Sequence, residues 1–312
     1  MSAEFARRAS SAGDVEIVLH PIPTPDAKPY IIVVGPDGAL WFCESGTAKI
    51  GRLDPNTASF REFPTPTANS RPIGIIPGPD GNLWFCENAA NQIGRITPHG
   101  AMTEFPLPTP GAGPDGIMCG PDGNLWFSEA HVSRIGRITP AGEVTEFSQG
   151  LTPGCRPLSI VVRDDALWFS EYAAGQIGRI TVAGDVSEFR VPTPDSEPRA
   201  MVAHPDGNIW FVQTRANGLG CIDRAGNVTE FPVPTPDASL RGVTVAADGD
   251  LWFTENFANK IGRMSPDGRL IGEYLIPGAN CGARAIIAAP DGRLFFSAHD
   301  AGAIGEVIPK SP

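Results

Sequence analysis

Residues 240–274 read Leu240-Arg-Gly-Val-Thr-Val, Asp248-Gly, Leu251-Trp-Phe-Thr-Glu255, Asn256-Phe-Ala-Asn, Lys260-Ile-Gly-Arg-Met264, Pro266-Asp-Gly268 and a last run through Tyr274. This stretch decodes as four short strands separated by turns. Asp-Gly and Pro-Asp-Gly favour tight hairpins because glycine supplies a positive φ. Leu-Trp-Phe and Ile-Gly-Arg-Met have the length and composition of strands.

The unit repeats. Trp41, Trp84, Trp126, Trp168, Trp210 and Trp252 are the only tryptophans, and each heads a Trp-Phe pair about 42 residues from the next. Phe295-Phe296 marks a seventh, imperfect copy. A fixed period of this length means stacked supersecondary units. Seven radial copies of a four-stranded antiparallel unit make an all-β, seven-bladed β-propeller. The chain stops after the third strand of copy seven, whereas Gly13-Asp-Val-Glu-Ile-Val-Leu and Pro23-Thr-Pro-Asp-Ala27 match the end of a copy. The N-terminal strand is therefore expected to complete the last blade and close the ring, removing an exposed sheet edge. Residues 1–13 read as a disordered tail and residues 14–309 as one propeller domain.

The 312 residues include 36 Gly and 32 Pro, but these fall at fixed places in the repeat, which indicates turns rather than disorder. A formal net charge of -11 argues against nucleic acid or an anionic membrane as partner. No apolar signal core and no run of transmembrane length occurs, so the expectation is a cytoplasmic monomer without a membrane partner. The six cysteines form no CxxC pair and read as reduced thiols. Cys43 and Cys86 stand where other copies have Ser or Thr, which favours a small buried residue. No P-loop, GxSxG, HExxH or Cys/His cluster is present.

Features common to all copies indicate scaffold, and exceptions indicate chemistry. The short turns put one face of the ring at the start of strand one and the end of strand two, with longer, more varied loops; a site is expected there. Glu44, Glu87, Glu129, Glu171 and Glu255 recur after Trp-Phe-x and read as caps on backbone N–H groups of the next loop. Arg52, Arg95, Arg137, Arg179 and Arg263 read as structural pairs.

At the second residue of strand one the copies carry Tyr30, Ile73, Asp115, Leu158, Arg199, Arg241 and Arg284. Three consecutive Arg at the channel mouth reverse the charge of an acidic protein. Guanidinium forks suit carboxylates or phosphates, so Arg199, Arg241 and Asp115 are substrate-binding candidates, and Tyr172 joins them at the mouth. The competing reading pairs each Arg with the nearby blade Glu. Gln213 and Ala298 break the Glu rule beside Arg199 and Arg284, which would free those two. His131 and His299 alone among the histidines lie in loops of this face. His299, Tyr30 and Arg284 are the catalytic candidates, with His299 as general acid or base.

The phrase Leu-Trp-Phe-x-Glu-Asn-x-Ala-Asn-x-Ile-Gly-Arg-Ile-Thr, followed by Thr-Glu-Phe-Pro-x-Pro-Thr-Pro, resembles the virginiamycin B (streptogramin) lyase family. Residues 82–110 and 250–264 carry it best, and the resemblance runs from Val15 to Pro309. It implies a seven-bladed propeller that opens a cyclic depsipeptide by Mg2+-dependent elimination, and so a role in antibiotic resistance. The family's sixth-blade Pro-His-Ala is matched by Leu240-Arg241-Gly242. Its metal-binding and basic Glu-Pro-His-Gly is matched by Gly282-Ala283-Arg284-Ala285. Its second metal-ligand Glu is matched by His299, and its mouth Tyr by Tyr30. The implied Mg2+ ligand positions are thus not matched, and no metal-binding residue is assigned. The expectation is a carbon–oxygen lyase-like enzyme acting on a carboxylate-bearing small molecule. A hydrolase or isomerase on the same template, or a non-catalytic propeller holding a peptide or protein, stays open.

Overall fold

Each Leu-Trp-Phe strand alternates its side chains between two faces, because successive residues of a strand point to opposite sides. Here both sides are clefts between blades. In the computed structural model, which describes residues 8–12 and 15–309, Trp41 packs in one cluster with Phe85 of the next blade, and Phe42 packs in another with Phe295 of the preceding one. The same relay links Trp84 to Phe127, Trp126 to Phe169, Trp168 to Phe211, Trp210 to Phe253 and Trp252 to Phe296. All these rings are buried.

The strands follow in chain order. β1 (Arg8–Ala12) and β2 (Val15–Pro21) precede blade one, which is β3 (Pro29–Val34), β4 (Leu40–Glu44), β5 (Lys49–Asp54) and β6 (Ser59–Pro64). Blade two is β7 (Pro72–Pro77), β8 (Leu83–Glu87), β9 (Gln92–Ile96) and β10 (Met102–Pro106). Blade three is β11 (Pro114–Cys119), β12 (Leu125–Glu129), β13 (Arg134–Ile138) and β14 (Val144–Phe147). Blade four is β15 (Pro157–Arg163), β16 (Ala166–Glu171), β17 (Gln176–Thr181) and β18 (Val186–Arg190). Blade five is β19 (Pro198–Ala203), β20 (Ile209–Gln213), β21 (Gly218–Ile222) and β22 (Val228–Pro232). Blade six is β23 (Leu240–Val245), β24 (Leu251–Glu255), β25 (Lys260–Met264) and β26 (Leu270–Leu275). β27 (Ala283–Ala288), β28 (Leu294–Ala298) and β29 (Ala303–Pro309) begin blade seven.

β2 pairs antiparallel with β29 and completes that blade, as the sequence predicts, and the innermost strands β27 and β3 meet to close the ring. Within the segment read as a tail, β1 adds a fifth strand on the outer edge of β2. Residues 1–7, 13, 14 and 310–312 lie outside the described residues. Among the described residues, no helix is long and apolar enough to cross a membrane.

The Gly of Ile-Gly-Arg has a steric reason. A Cβ on Gly51 would run into the Phe42 ring, and the Phe85, Phe127, Phe169, Phe211, Phe253 and Phe296 rings cover the equivalent glycines. The other half of each pair is held differently. Trp41 stacks on Phe63 at 5.6 Å and donates its Nε1–H to Asp37 of the Pro-Asp-Gly turn. Arg52 lies over the indole and pairs with the same Asp37. The recurring Arg is therefore structural, as the repeat suggests, with Arg95, Arg137, Arg179 and Arg263 meeting turn aspartates likewise.

The recurring Glu is not the loop cap expected from sequence. Its side chain reaches across the glycine toward a second Glu on the outermost strand: the oxygen of Glu44 lies 2.8 Å from where a Gly51 Cβ would stand, and Gly51 is registered with Glu62. Glu129 likewise meets Glu146, Glu171 meets Glu188, and Glu255 meets Glu273. Both oxygens of Glu129, Glu171 and Glu255 are buried without a protein donor. Such a carboxyl is satisfied only if it keeps a proton and donates it to its neighbour. Burial and the facing carboxylate push Glu44, Glu129, Glu171 and Glu255 up to about 8, and Glu87 to about 7. The outer Glu in turn accepts from the Pro-Thr-Pro linker, as where Thr109 donates through N–H and hydroxyl to Glu146. The exceptions fit. Gln213 takes the inner position in blade five, in the blade whose outer position holds Glu230, and its side chain has the shape of a protonated Glu but cannot titrate. In blade seven Ala298, Leu19 and Gly278 replace the inner Glu, the outer Glu and the linker Thr together.

A raised folded pKa means that the folded chain binds the proton more tightly than the unfolded one. The stability contributed is complete below about pH 4.5 and is lost as pH rises toward about 8. Glu129→Gln should therefore raise Tm by about 2–4 °C (~1 kcal/mol) at pH 9 and leave it nearly unchanged at pH 5. Thermal melts across pH check this, and an equal loss at both pH values would contradict the shared proton.

Candidate active site at the channel mouth

The first strand of every blade carries a one-residue bulge near its start. Pro29 faces Glu44 but Ile32 faces Phe42, so Tyr30 and Ile31 share a single partner position. The same slip occurs in β7, β11, β15, β19, β23 and β27. A bulge re-aims a side chain, and the residue re-aimed is the exceptional one noted in the sequence. Tyr30, Asp115, Leu158, Arg199, Arg241 and Arg284 line a central cavity of about 290 Å³. In blade two Ile73 is buried in the wall and Gly74 lines the cavity instead.

Hydroxyls fix these bulges. Thr254 Oγ1 accepts from Gly242 N–H and donates to the carbonyl of Arg284, tying the backbones behind Arg241 and Arg284 together. Ser128 links Gly116 to Leu158 in the same way. Cys43 reaches the Gly74 carbonyl from the equivalent position, fully buried, which explains why that place takes a small residue. Burial pushes the Cys43 and Cys86 thiols well up, so neither is a reactive thiolate.

The three arginines form an electropositive arc. Arg241 sits between Arg199 and Arg284, and burial together with those two neighbours pulls it down to about 10. Arg284 stacks over Tyr30 at 4.9 Å and Arg199 over Tyr172 at 4.4 Å. The two tyrosines therefore bracket the arc by cation–π contact. The buried Nε atoms of all three arginines have no hydrogen-bond partner, and none of the three makes an ion pair among the described residues. The alternative that each pairs with its blade Glu is overturned: those carboxyls point outward to the fourth strands. The losses at Gln213 and Ala298 accordingly do not free Arg199 and Arg284, which are unpaired for a different reason.

Asp115 faces this arc from blade three. Burial pushes its carboxyl up, against the pull of Arg199, Arg156, Arg71 and His131. His131 itself is exposed, with its ring over Gly113. His299 lies edge-on to Tyr30 at 6.1 Å, and its Nδ1 meets Asp300 at 2.7 Å. Donation from Nδ1–H to Asp300 leaves Nε2 as a free acceptor, the tautomer a general base requires. Burial, then Arg284, lower the His299 pKa, while Asp300 opposes them. The ring is therefore neutral at neutral pH.

All the sequence-derived site residues, Tyr30, Asp115, Tyr172, Arg199, Arg241, Arg284 and His299, thus gather at one mouth. Sequence reading missed Asp300, though it adjoins His299, and the outer cations Lys28, Arg71 and Arg156. These three occupy the residue just before strand one, a place with φ between 48° and 55° in each, and Arg71 and Arg156 act on Asp115 as Lys28 acts on His299.

For the Mg2+ that the family implies, the donor set does not fit. The cavity lining offers one carboxylate, Asp115, against three guanidiniums, and no group of three His, Cys, Asp or Glu residues able to hold a metal occurs among the described residues. A divalent cation at this place would meet like charge with too few oxygen ligands.

The comparisons with known proteins agree with this architecture. The virginiamycin B lyase family model matches residues 5–199 and again 149–311. A streptogramin B lyase structure is 34% identical, covering 96% of this chain and 99% of that one, with a TM-score of 0.90. Virginiamycin B lyase from Staphylococcus aureus is 36% identical over 94% of this chain and 99% of its own, with a TM-score of 0.89. A catalytically inactive histidine-to-alanine variant of the S. aureus enzyme with quinupristin superposes at 0.88, with 36% identity over 94% of this chain and 99% of its own. Hydrazine synthase from Kuenenia stuttgartiensis, at 17% identity over 93% of this chain and 97% of that one, with a TM-score of 0.78, shares the fold alone. No curated protein sequence matches.

The electrostatics of His299 can be read directly. Arg284→Ala should raise the His299 pKa, and Asp300→Asn should lower it further. Histidine proton titration by NMR checks both directions, and a His299 that ignores both changes would not belong to this cluster.

Proposed function

The chain belongs to the virginiamycin B lyase family, and from that premise we propose that its mouth has been rebuilt as a lyase site for an anionic small molecule. The observation that carries this is the arc of Arg199, Arg241 and Arg284, with buried Nε donors that no protein group uses. Leaving buried, charged donors unpaired costs free energy unless a ligand supplies the acceptors. A carboxylate offers two acceptor oxygens to such forks. On a chain whose overall net charge is -11, a positive mouth is a local target for anions.

The reaction that fits is elimination without a metal ligand set. Arg241, flanked by Arg199 and Arg284, would hold the substrate carboxylate and stabilise the charge that develops on it. Neutral His299, oriented by Asp300, would take the proton from the adjacent carbon. The electron pair released would form the carbon–carbon double bond and expel an oxygen leaving group at the next carbon. The Tyr30 hydroxyl would protonate that oxygen. With a base whose pKa is lowered below the ordinary 6.5, the rate should rise through the acidic range and be level at neutral pH.

Thermal shift against small carboxylates and phosphates tests the anion site. Stabilisation is expected with carboxylates. Arg241→Ala should raise the Tm of the free protein, by removing the central repulsion, and weaken anion binding about tenfold (~1.4 kcal/mol). A gain in stability with no loss of any anion response would instead favour a non-catalytic, protein-binding propeller, for which the exposed Phe257 on the same face would be the contact.

A further inference from the structure

The cavity does not end at the arginines. Beneath them the wall continues as a ring at one register, the residues that face the Trp or Phe of strand two: Val33, Ile76, Met118, Val161, Val202 and Ile287, with Thr244 as the seventh member. Six of seven are apolar. The charged groups of the cavity, by contrast, all sit at the bulges of the upper rim. The site therefore has a charged end and an apolar depth in one continuous space of about 290 Å³.

A ligand that was charged throughout would gain nothing below the rim, and a purely apolar one would leave the guanidiniums unmatched. Of the three positive charges at the rim, Asp115 offsets at most one, and burial pushes Asp115 toward its neutral form. The channel walls belong to the innermost strands, whose backbones are locked by blade contacts around the ring, so the space is preformed.

We propose that the ligand is an amphiphilic carboxylate whose head lies among Arg199, Arg241 and Arg284 and whose apolar body descends the central channel past Val202 and Ile287. This rests on the reading of the mouth as an anion site, and adds the substrate class. Specificity among anions then comes from the apolar body, because the head contacts are common to all carboxylates.

The test is a homologous series of straight-chain carboxylates, acetate through decanoate, titrated calorimetrically into the full-length protein, with primary alcohols of the same lengths as controls. Affinity should rise about three- to fourfold per added methylene, the increment expected for burying one methylene, until the channel is filled. The alcohols should bind far more weakly at every length. Val202→Trp, which narrows the channel below the rim, should flatten the rise of affinity with chain length. Arg241→Ala should weaken every length by the same factor. Carboxylate binding that is independent of chain length would overturn the amphiphile and leave the anion site standing. Absence of binding by any carboxylate would sink both. The series on the unmodified protein is decisive by itself if the Trp variant does not fold.

Discussion

The structure depends on a simple constraint: two adjacent residues of a strand must point to opposite sides. Leu-Trp-Phe uses it to fill two clefts at once. Each indole enters the cleft shared with the next blade and each phenyl ring the cleft shared with the previous one, so no blade has a core of its own. A single blade could not bury these rings. The ring must close, and it closes by packing Phe295 with Phe42 and by recruiting β2 to the last sheet. The requirement for glycine in the next strand follows from the phenyl ring that lies over it.

That glycine has a second consequence. It opens a lane across the blade in which an inner carboxyl can reach an outer one. The pair shares a proton, and the outer member grips the linker threonine. Blade five has the non-titrating Gln213 in place of the inner Glu, and blade seven drops the whole set at once. Substitutions that travel together between copies of one chain show that the Glu, the Glu and the Thr act as a unit.

The blade count, strand order and ring closure were legible in the sequence because each copy had to satisfy the same packing, so the signal is repeated seven times. The mouth residues were legible for the opposite reason: Arg199, Arg241 and Arg284 depart from the other copies at one register position. The destination of the recurring Glu was not legible. A carboxyl two residues beyond Phe lies on the same face as that Phe, and its partner comes from a strand that is distant in sequence and visible only once the register is fixed. For the same reason the Glu losses at Gln213 and Ala298 do not free the arginines: positions adjacent in the repeat register are not adjacent in space. The bulge was hidden too, because a one-residue slip leaves no compositional mark.

The bulge explains how one scaffold can host different chemistries at its mouth. It aims one side chain per blade at the axis while the rest of the strand stays committed to blade packing. Exchanging that residue alters the charge of the mouth without touching the Trp–Phe relay. Thr254 and Ser128 hold the bulges from the second strand, so the aim survives the exchange. In this chain the exchange places three guanidiniums side by side, and their mutual repulsion is tolerated because the relay fixes the backbone beneath them. On the proposed reading an anion would relieve that repulsion and a divalent cation would deepen it, so the same packing that preserves the family fold can carry a mouth of altered charge.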